Sequence, residues 1–498
     1  MMRNDVPGTE APLKLKTART LKWNTVDRLA SQVLYGVVGI VLANILSEED
    51  FGLIGALLVF QAFAIIFADS GFGAALLQKK TPSESDYSTV FWFNLIVSVA
   101  IYWMLWLGAP LIADIFQGDR RLIPLSKVMF LTFVLNALAI VQTNRLMKRM
   151  DVKMIAVSNV IAQVGGGLLG IALALGGFGA WALVWQSVTL AGIKTGILWA
   201  TGHWIPSCWI KKESLRSIWR VGLSVFSSSM LNTLFQTIYS FVIGAFYSLV
   251  SLGVYTQADK WSKMGSASIS QVLTASFVPL LAKFQDDSDD FRRYVKKINR
   301  FTAFILFPFM VGLAAVGEPL FHTLFGTKWD AAIILFQILV IRGIFVVLVS
   351  LYGNYMLAKG YGKRLFIIEI VKDVAIAVAI IFTLYYRSVE ILVWGQLFAS
   401  LVTYVIIVTM VGKNIGYGVW KMVRDLLPFA ISSLVMLAAC VGVEFIPMAD
   451  PCRLLLEIVT GALIYVVIIS IAGCLELKEA TSYIFGRFYK KHRTVNGG

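Results

Sequence analysis

Charged side chains are scarce in this 498-residue sequence: they make up 15% of it, whereas hydrophobic residues make up 58%. A soluble globular domain carries about 25% charged residues, so the composition excludes an ordinary water-soluble fold. Apolar runs of about 20 residues recur along the whole chain, and that length crosses a hydrocarbon core of about 30 Å. The composition therefore predicts an all-α polytopic membrane protein.

Histidine and cysteine are also rare. The three histidines, His203, His322 and His492, are widely separated, and no Ser/His/Asp set or pair of catalytic carboxylates accompanies them. The four cysteines lack metal-ligand spacing and mostly lie in or beside apolar runs, which argues against a disulfide or zinc site. We therefore expect no catalytic residue, no metal and no cofactor. The cysteines are Cys208, Cys440, Cys452 and Cys474.

A cleavable signal peptide is not visible, because polar and basic residues 1–21 lead straight into a full-length apolar run. Apolar runs separated by charged or Gly/Pro-containing breaks predict fourteen transmembrane spans. They fall near 22–46, 51–78, 88–114, 122–144, 151–174, 177–201, 217–247, 250–282, 300–320, 331–358, 364–385, 390–412, 423–444 and 454–474.

Lysine and arginine on the connections predict the orientation, because these residues remain on the cytoplasmic side. With the N-terminus inside, nearly all of them fall on inside connections, such as Lys79 and Lys80 or Lys211 and Lys212. The net charge of +15 is thus explained by topology and needs no nucleic-acid partner. Both termini are predicted to be cytoplasmic. The outside connections hold only Arg120, Arg121, Lys328, Arg387 and Arg453.

Two pairs of similar motifs indicate an internal repeat. "SEEDFG" (47–52) matches "SLVSLG" (248–253), and "NRLMKRMDVK" (144–153) matches "NYMLAKGYGK" (354–363), each about two hundred residues apart. Parallel repeats of this kind predict two six-helix lobes facing each other across a central cavity, with two extra C-terminal helices. The predicted order is a cytoplasmic segment (1–21), the N-lobe (22–201), a cytoplasmic linker (202–216), the C-lobe (217–412), spans 13 and 14 (413–474) and a basic cytoplasmic tail (475–498).

Charges inside spans are costly, so each is a candidate functional residue. Lys260, Lys263 and Arg342 lie near mid-membrane when depth is counted at about 1.5 Å per residue. Lys127, Lys194 and Arg28 lie nearer an interface, and Lys127 and Lys194 are close enough to snorkel. The surplus of base suits an anionic cargo in a low-dielectric cleft.

Span 7 carries a stripe of polar residues that includes Asn232 and Gln236. Their three- and four-residue spacing predicts a shared face of the helix, which suits either sugar hydroxyls or helix packing. The glycines of "VGGGLLG" (164–170) lie within a span, where close packing or bending is a better explanation than a phosphate-binding loop.

Two stretches resemble a known family. "EEDFGLIGALLVFQAFAIIFADSGFGAALLQKK" (48–80) is similar to the first helical hairpin of bacterial polysaccharide flippases of the Wzx/WzxC type. The segment 255–329, with its "QDD" loop and "LFGTKW" turn, is similar to the same family, which belongs to the multidrug/oligosaccharidyl-lipid/polysaccharide exporter superfamily.

The resemblance implies a flippase of the bacterial inner membrane. Such a protein moves an undecaprenyl-pyrophosphate-linked oligosaccharide from the cytoplasmic to the periplasmic leaflet by alternating access, among membrane lipids and alongside polysaccharide assembly proteins. Coupling to H⁺ or Na⁺ is expected by analogy. The acids available for coupling or gating are Asp69, Asp259, Glu369 and Asp373.

Two other functions agree less well with the sequence. A drug/cation antiporter of the same superfamily would favour a buried acidic site with few bases, the opposite of the balance here. A membrane-embedded polysaccharide polymerase or ligase generally needs a sizeable outer loop, and the outer connections are short. We therefore expect a transporter and not an enzyme.

The stretch "FADSGFGAALLQKK" (67–80) is predicted to lie where span 2 reaches the cytoplasmic side. About twenty residues of crossing place Asp69 near that boundary rather than at the midplane. Gly71 and Gly73 permit a bend or a close helix contact there. We interpret the stretch as an inner gate or a helix-end element.

Overall fold

The computed structural model describes residues 10–69, 71–207, 209–282, 284 and 288–479, and all regular structure in them is helical. Cys208, Lys283, the "QDD" loop at 285–287, residues 1–9 and the basic tail beyond 479 lie outside the described residues. The helices are α1 (Glu10–Ile45), α2 (Glu48–Asp69), α3 (Phe72–Gln78), α4 (Glu84–Leu107), α5 (Ala109–Ile115), α6 (Leu122–Met129), α7 (Leu131–Lys148), α8 (Val152–Leu175), α9 (Ala180–Gly202), α10 (Lys212–Phe246), α11 (Leu249–Ala282), α12 (Ser288–Ala315), α13 (Gly317–Phe325), a 3-10 turn (Thr327–Trp329), α14 (Asp330–Ala358), α15 (Gly362–Leu384), α16 (Val389–Ile415), α17 (Val419–Glu444) and α18 (Asp450–Ile471).

The protein is a multi-pass membrane protein. Within the described ranges, ten helical stretches are long and apolar enough to cross a membrane. The four other long helices, α9, α10, α11 and α15, have 23, 35, 34 and 23 residues. At about 1.5 Å per residue they are long enough to span, but they are more polar. Their assignment as spans, and with it the count of fourteen, stays a prediction.

Four of the predicted spans each contain two helices separated by a short break. The breaks separate α2 from α3, α4 from α5, α6 from α7 and α12 from α13. Gly71 adopts a left-handed φ of 68° at the first break, a conformation that glycine tolerates best. Pro110 follows the second break at the start of α5, where a missing N–H costs least. Hydropathy does not reveal such breaks because the residues on both sides of each break are apolar.

The glycines of α8 allow close helix packing in the first compact unit, which extends to Thr256. A Cβ on Gly166 would lie 2.8 Å from the carbonyl oxygen of Gln186 on α9, and one on Gly167 would lie 2.6 Å from Val38 on α1. Because α8 runs unbroken through these glycines, close packing explains them and a phosphate-binding loop does not.

The two "SEEDFG"-like motifs touch each other at the starts of α2 and α11. A Cβ on Gly52 would lie 1.8 Å from the carbonyl oxygen of Leu249, and a Cβ on Gly253 would lie 1.8 Å from that of Glu48. Under the repeat offset, Gly52 corresponds to Gly253 and Glu48 to Leu249. The contact is therefore reciprocal, as expected where equivalent segments meet about a local two-fold axis.

The second unit, from Gln257 onward, incorporates the last two helices into its packing. α17 packs on α12 and α18, and α18 contacts α13. The Tyr465 hydroxyl donates to the Phe304 carbonyl at 2.8 Å. Arg300 of α12 pairs with Asp425 of α17 at 3.3 Å and with Glu476 beyond α18. These contacts make α17 and α18 structural parts of the unit.

Candidate functional site

Asp27 of α1 is the centre of a polar cluster in the first unit. Its carboxylate accepts hydrogen bonds from the Asn159 amide of α8 at 3.0 and 3.2 Å and from the Ser31 hydroxyl at 3.3 Å. It also attracts the half-buried Lys194 ammonium of α9, and the exposed Arg28 follows it in sequence. Arg28 and Lys194 were predicted as candidates because they are charged residues within predicted spans. Asn159 was missed because its side chain is neutral.

Lys127 is held by an aromatic ring. Its ammonium lies 3.9 Å from the centre of the Trp106 ring on α4, close enough for a cation–π interaction. This contact would stabilise the lysine near a membrane interface, where tryptophan is enriched.

Asn232 and Gln236 lie one turn apart on α10, as the spacing predicts. The Gln236 amide donates to the Asn232 side-chain oxygen at 2.9 Å, and both side chains are exposed. One bond between two amides leaves most of their donors and acceptors unused. They can therefore bind a polar ligand.

Asp259 pairs with Lys263 rather than with its sequence neighbour Lys260. The carboxylate lies 2.6 Å from the Lys263 ammonium, one helical turn away on α11. Residues four apart face each other on a helix and adjacent ones do not. Lys260 instead lies 5.2 Å from the centre of the Trp261 ring. Lys263 is 54% exposed, which leaves it accessible despite the ion pair.

Arg342 of α14 contacts a neutral residue. Its Nε donates to the Ser400 hydroxyl of α16 at 3.2 Å. Among the residues that the structure describes, Arg342 forms no ion pair. Its charge is therefore uncompensated locally, which suits attraction of an anion.

Glu369 and Asp373 flank Lys372 on α15. Lys372 forms an ion pair with Glu369 and lies 3.9 Å from Asp373. The Oδ1 atom of Asp373 is buried and has no hydrogen-bond partner among the described atoms. The sequence neighbours Lys372 and Asp373 are thus close in space, but Glu369 takes the nearer position.

Asp69 ends α2 and contacts the first turn of α3. Its carboxylate accepts a hydrogen bond from the Gly73 backbone N–H, as an acidic residue does at a helix start. A Cβ on Gly73 would lie 2.5 Å from this carboxylate and 2.8 Å from the Asn144 amide. A Cβ on Gly71 would lie 2.2 Å from the carbonyl oxygen of Gly222 on α10. The predicted bend and the predicted close helix contact are both present.

The candidate residues concentrate on the polar long helices. α9 carries Lys194, α10 carries the two amides, α11 carries Asp259 with its two lysines, and α15 carries Glu369 and Asp373. None of these four helices is among the ten apolar stretches. Arg28, Lys127 and Arg342 lie on apolar ones.

The family follows from the sequence as a whole. A profile of the family described as "Polysaccharide biosynthesis protein" matches residues 41–334. The chain belongs to the polysaccharide biosynthesis protein family.

Two relatives of this polysaccharide biosynthesis protein extend the match. "Teichuronic acid biosynthesis protein TuaB" of Bacillus subtilis is 24% identical over 451 residues, which cover 89% of this chain and 93% of the relative. "Lipopolysaccharide biosynthesis protein WzxC" of Escherichia coli is 24% identical over 353 residues, or 70% of this chain and 71% of the relative. The resemblance to the Wzx/WzxC type is confirmed.

The fold resembles that of a solved flippase. "Lipid II flippase MurJ, inward closed conformation" superposes with a TM-score of 0.74 at 13% identity, covering 90% of this chain and 98% of the other. At that identity the likeness concerns the fold alone. It confirms an all-helical membrane fold.

Proposed function

We propose that the protein is a flippase that moves an undecaprenyl-pyrophosphate-linked oligosaccharide from the cytoplasmic to the periplasmic leaflet of the bacterial inner membrane. The observation that carries the proposal is the surplus of base on its membrane helices, in a family of polysaccharide biosynthesis proteins. Lys194 lies near the single acid Asp27, and Arg342 donates to the neutral Ser400 hydroxyl. Basic groups in a low-dielectric site attract pyrophosphate or acidic sugars. We propose a transporter rather than an enzyme.

Fourteen spans in two six-helix lobes, with both termini cytoplasmic, are part of the proposal. The ten apolar stretches and four polar long helices together supply the number. The reciprocal contact of Gly52 and Gly253 supports the repeat because it joins equivalent positions. Parallel repeats are a common basis of alternating access.

Coupling to H⁺ or Na⁺ is proposed to use an acid that has no close ion-pair partner. Asp259 and Glu369 are each paired with a lysine, which lowers their capacity to bind a further cation. Asp69 and Asp373 retain more of that capacity, since the buried Oδ1 of Asp373 accepts no hydrogen bond among the described atoms and lies 3.9 Å from the Lys372 ammonium. Replacing each by asparagine should distinguish them through the dependence of transport on the ion gradient.

The direct test is translocation in proteoliposomes. A fluorescent undecaprenyl-pyrophosphate-linked oligosaccharide in the inner leaflet should become accessible to an external quencher faster than in protein-free vesicles. Equal rates would refute the flippase function. A covalent change of the sugar, detected by mass spectrometry, would refute the transporter assignment in favour of an enzyme.

Two variants test the basic sites in the same assay. Arg342→Gln should slow transport, whereas Ser400→Ala, which removes the neutral partner and keeps the charge, should have a small effect. Lys263→Ala should also slow transport, and adding Asp259→Ala should not restore it. Restoration by the double replacement would show that Lys263 only compensates Asp259. The matched control is Lys296→Gln, an exposed base on α12.

A further inference from the structure

The connection between α9 and α10, residues 203–211, has no regular secondary structure in the part that the structure describes, yet its backbone is held against α4. The Ser207 N–H donates to the Ser88 hydroxyl at 3.1 Å, and the Lys211 N–H donates to the Thr89 hydroxyl at 3.1 Å. Adjacent residues of α4 thus bind two backbone groups that are four residues apart. The connection therefore runs along the side of α4.

Trp204 fixes the start of the connection. Its side chain is 6% exposed, its indole N–H donates to the Glu84 carboxylate at 2.7 Å, and its carbonyl accepts from the Gln142 amide at 2.9 Å. Its ring packs edge-on against that of Phe91, with 5.9 Å between the ring centres. Contacts at positions 204, 207 and 211 span the connection, so the exposed side chains between them are held in defined places.

Two large apolar side chains of the connection face away from these contacts. Ile205 is 77% exposed and Trp209 is 60% exposed. The Trp209 ring lies 4.5 Å from the Trp92 ring of α4, centre to centre, so it extends the apolar surface of that helix. Contact of such side chains with water is unfavourable. We therefore expect a partner to cover them.

The position along α4 identifies lipid as that partner. α4 is one of the helices long and apolar enough to cross a membrane, and its 24 residues extend about 36 Å, a little more than a hydrocarbon core of about 30 Å. Its contacts with the connection, at Ser88, Thr89 and Trp92, lie about 6–12 Å from its start. They are therefore near the boundary between headgroups and acyl chains, where tryptophan is enriched.

Two bases come directly after this apolar pair. Lys211 and Lys212 are exposed, and neither forms an ion pair within the described part of the chain. Apolar side chains beside lysines are typical of segments that bind anionic membrane surfaces. The predicted topology places the connection at the cytoplasmic leaflet, whose surface is negative. Charge complementarity therefore favours anionic lipid over neutral lipid.

We propose that the connection between α9 and α10 is an anchor for anionic lipids, with Ile205 and Trp209 among the first carbons of the acyl chains and Lys211 and Lys212 on lipid phosphates. Its partner is the phosphatidylglycerol type of bulk membrane lipid. An anchor bound to both α4 and lipid would hold the first unit at a constant depth in the membrane. The inference goes beyond the proposed flippase function and does not depend on it.

Site-specific photo-crosslinking of the full chain tests this proposal. The photoreactive residue p-benzoylphenylalanine replaces Ile205 or Trp209 in separate variants. Each is placed in nanodiscs with equal amounts of phosphatidylglycerol and phosphatidylcholine that carry the same acyl chains. Mass spectrometry of the irradiated protein identifies the attached molecule, and thermal unfolding confirms that each variant is folded. The control position is Arg293, whose side chain is 73% exposed and pairs with Asp290 in the charged first turns of α12.

Both test positions should acquire lipid. Phosphatidylglycerol adducts should exceed phosphatidylcholine adducts by at least about fivefold, the effect of one base near an anionic surface. Adding Lys211→Gln/Lys212→Gln should make the two adducts nearly equal. The matched pair Lys421→Gln/Arg424→Gln removes the same charge from exposed bases elsewhere and should leave the ratio unchanged.

Three results would overturn the proposal. Lipid adducts no more frequent than at position 293 would show that Ile205 and Trp209 lie in water. A doubled protein mass would show that a second copy of the chain covers them. Equal attachment of the two lipids while Lys211 and Lys212 are intact would refute the preference for anionic lipid. None of these measurements involves transport, so the flippase function is tested separately.

Discussion

Replacing Gly52 by alanine should separate the starts of α2 and α11. The added Cβ would lie 1.8 Å from the carbonyl oxygen of Leu249 and 2.6 Å from its carbonyl carbon, whereas real Cβ contacts essentially never fall below 3.0 Å. The obstacle is backbone, so no side-chain rotation relieves it. The two helices must move apart by more than about 1 Å, and overpacking of this kind costs about 1–3 kcal/mol.

The second glycine makes the prediction sharper. A Cβ on Gly253 would meet the Glu48 carbonyl at the same 1.8 Å. Because one separation relieves both contacts, the double replacement should cost less than the sum of the single ones, by about 1 kcal/mol. If the two sites were independent, the free-energy costs of the single replacements would add in the double variant.

Thermal unfolding of the detergent-purified protein provides the measurement. Each single variant should unfold about 1 to 4 °C below the wild type. Gly196→Ala on α9 is the control, since its Cβ would meet no atom within 4 Å and alanine favours a helix over glycine. Its unfolding temperature should equal or exceed that of the wild type.

Two results would refute the reasoning. If Gly52→Ala has the same unfolding temperature as the Gly196→Ala control, the backbones of α2 and α11 do not approach as closely as described. If the single effects add in the double variant, the two glycines do not share one contact, and the support for a reciprocal repeat is lost.

Three further predictions use the same unfolding assay. Gly71→Ala should cost about 2 kcal/mol, because alanine resists the left-handed conformation and its Cβ would lie 2.2 Å from the Gly222 carbonyl; an unchanged unfolding temperature would contradict this. Asp86→Leu should cost about 3 kcal/mol, since it leaves Lys79 without its buried partner; the companion Lys79→Met/Asp86→Leu should recover part of it. Burial alone would raise the pKa of Glu476. The hydrogen bonds from the Arg300 guanidinium outweigh this effect, so the pKa is lowered. The ionised Glu476 side chain therefore stabilises the folded protein fully above the unfolded pKa of about 4.3, and this stabilisation is lost as pH falls through the lower folded pKa. Glu476→Gln should reduce the fall in unfolding temperature at acid pH.

The positions of the helices could be predicted from the sequence because length and apolarity determine what crosses a membrane. Every predicted span coincides with one or two observed helices. The break at Gly108 could not be predicted, since hydropathy averages over it, whereas Gly71 and Gly73 predicted a bend or a close helix contact. The clue at Gly71 was the local pattern Asp-Ser-Gly, which favours a turn.

The candidate site was predicted in its residue types and less well in its partners. Charge within a predicted span made Arg342 and Lys263 candidates, because charge in a span is rare. The pairing of Lys263 with Asp259 needed helix geometry rather than adjacency. Asn159 contacts Asp27 across 132 positions of sequence, and no local pattern indicates a contact of that range.

The packing of α17 and α18 affects how the protein can be shortened. A chain that ends before α17 would leave Arg300 without Asp425 and Glu476, and the Phe304 carbonyl would lose the Tyr465 hydroxyl. Removing the partners of a partly buried ion pair is strongly destabilising because it leaves an uncompensated charge. A series of C-terminal deletions should therefore show an abrupt loss of cellular abundance once α17 is removed, with a reporter fused to the N-terminus as the readout.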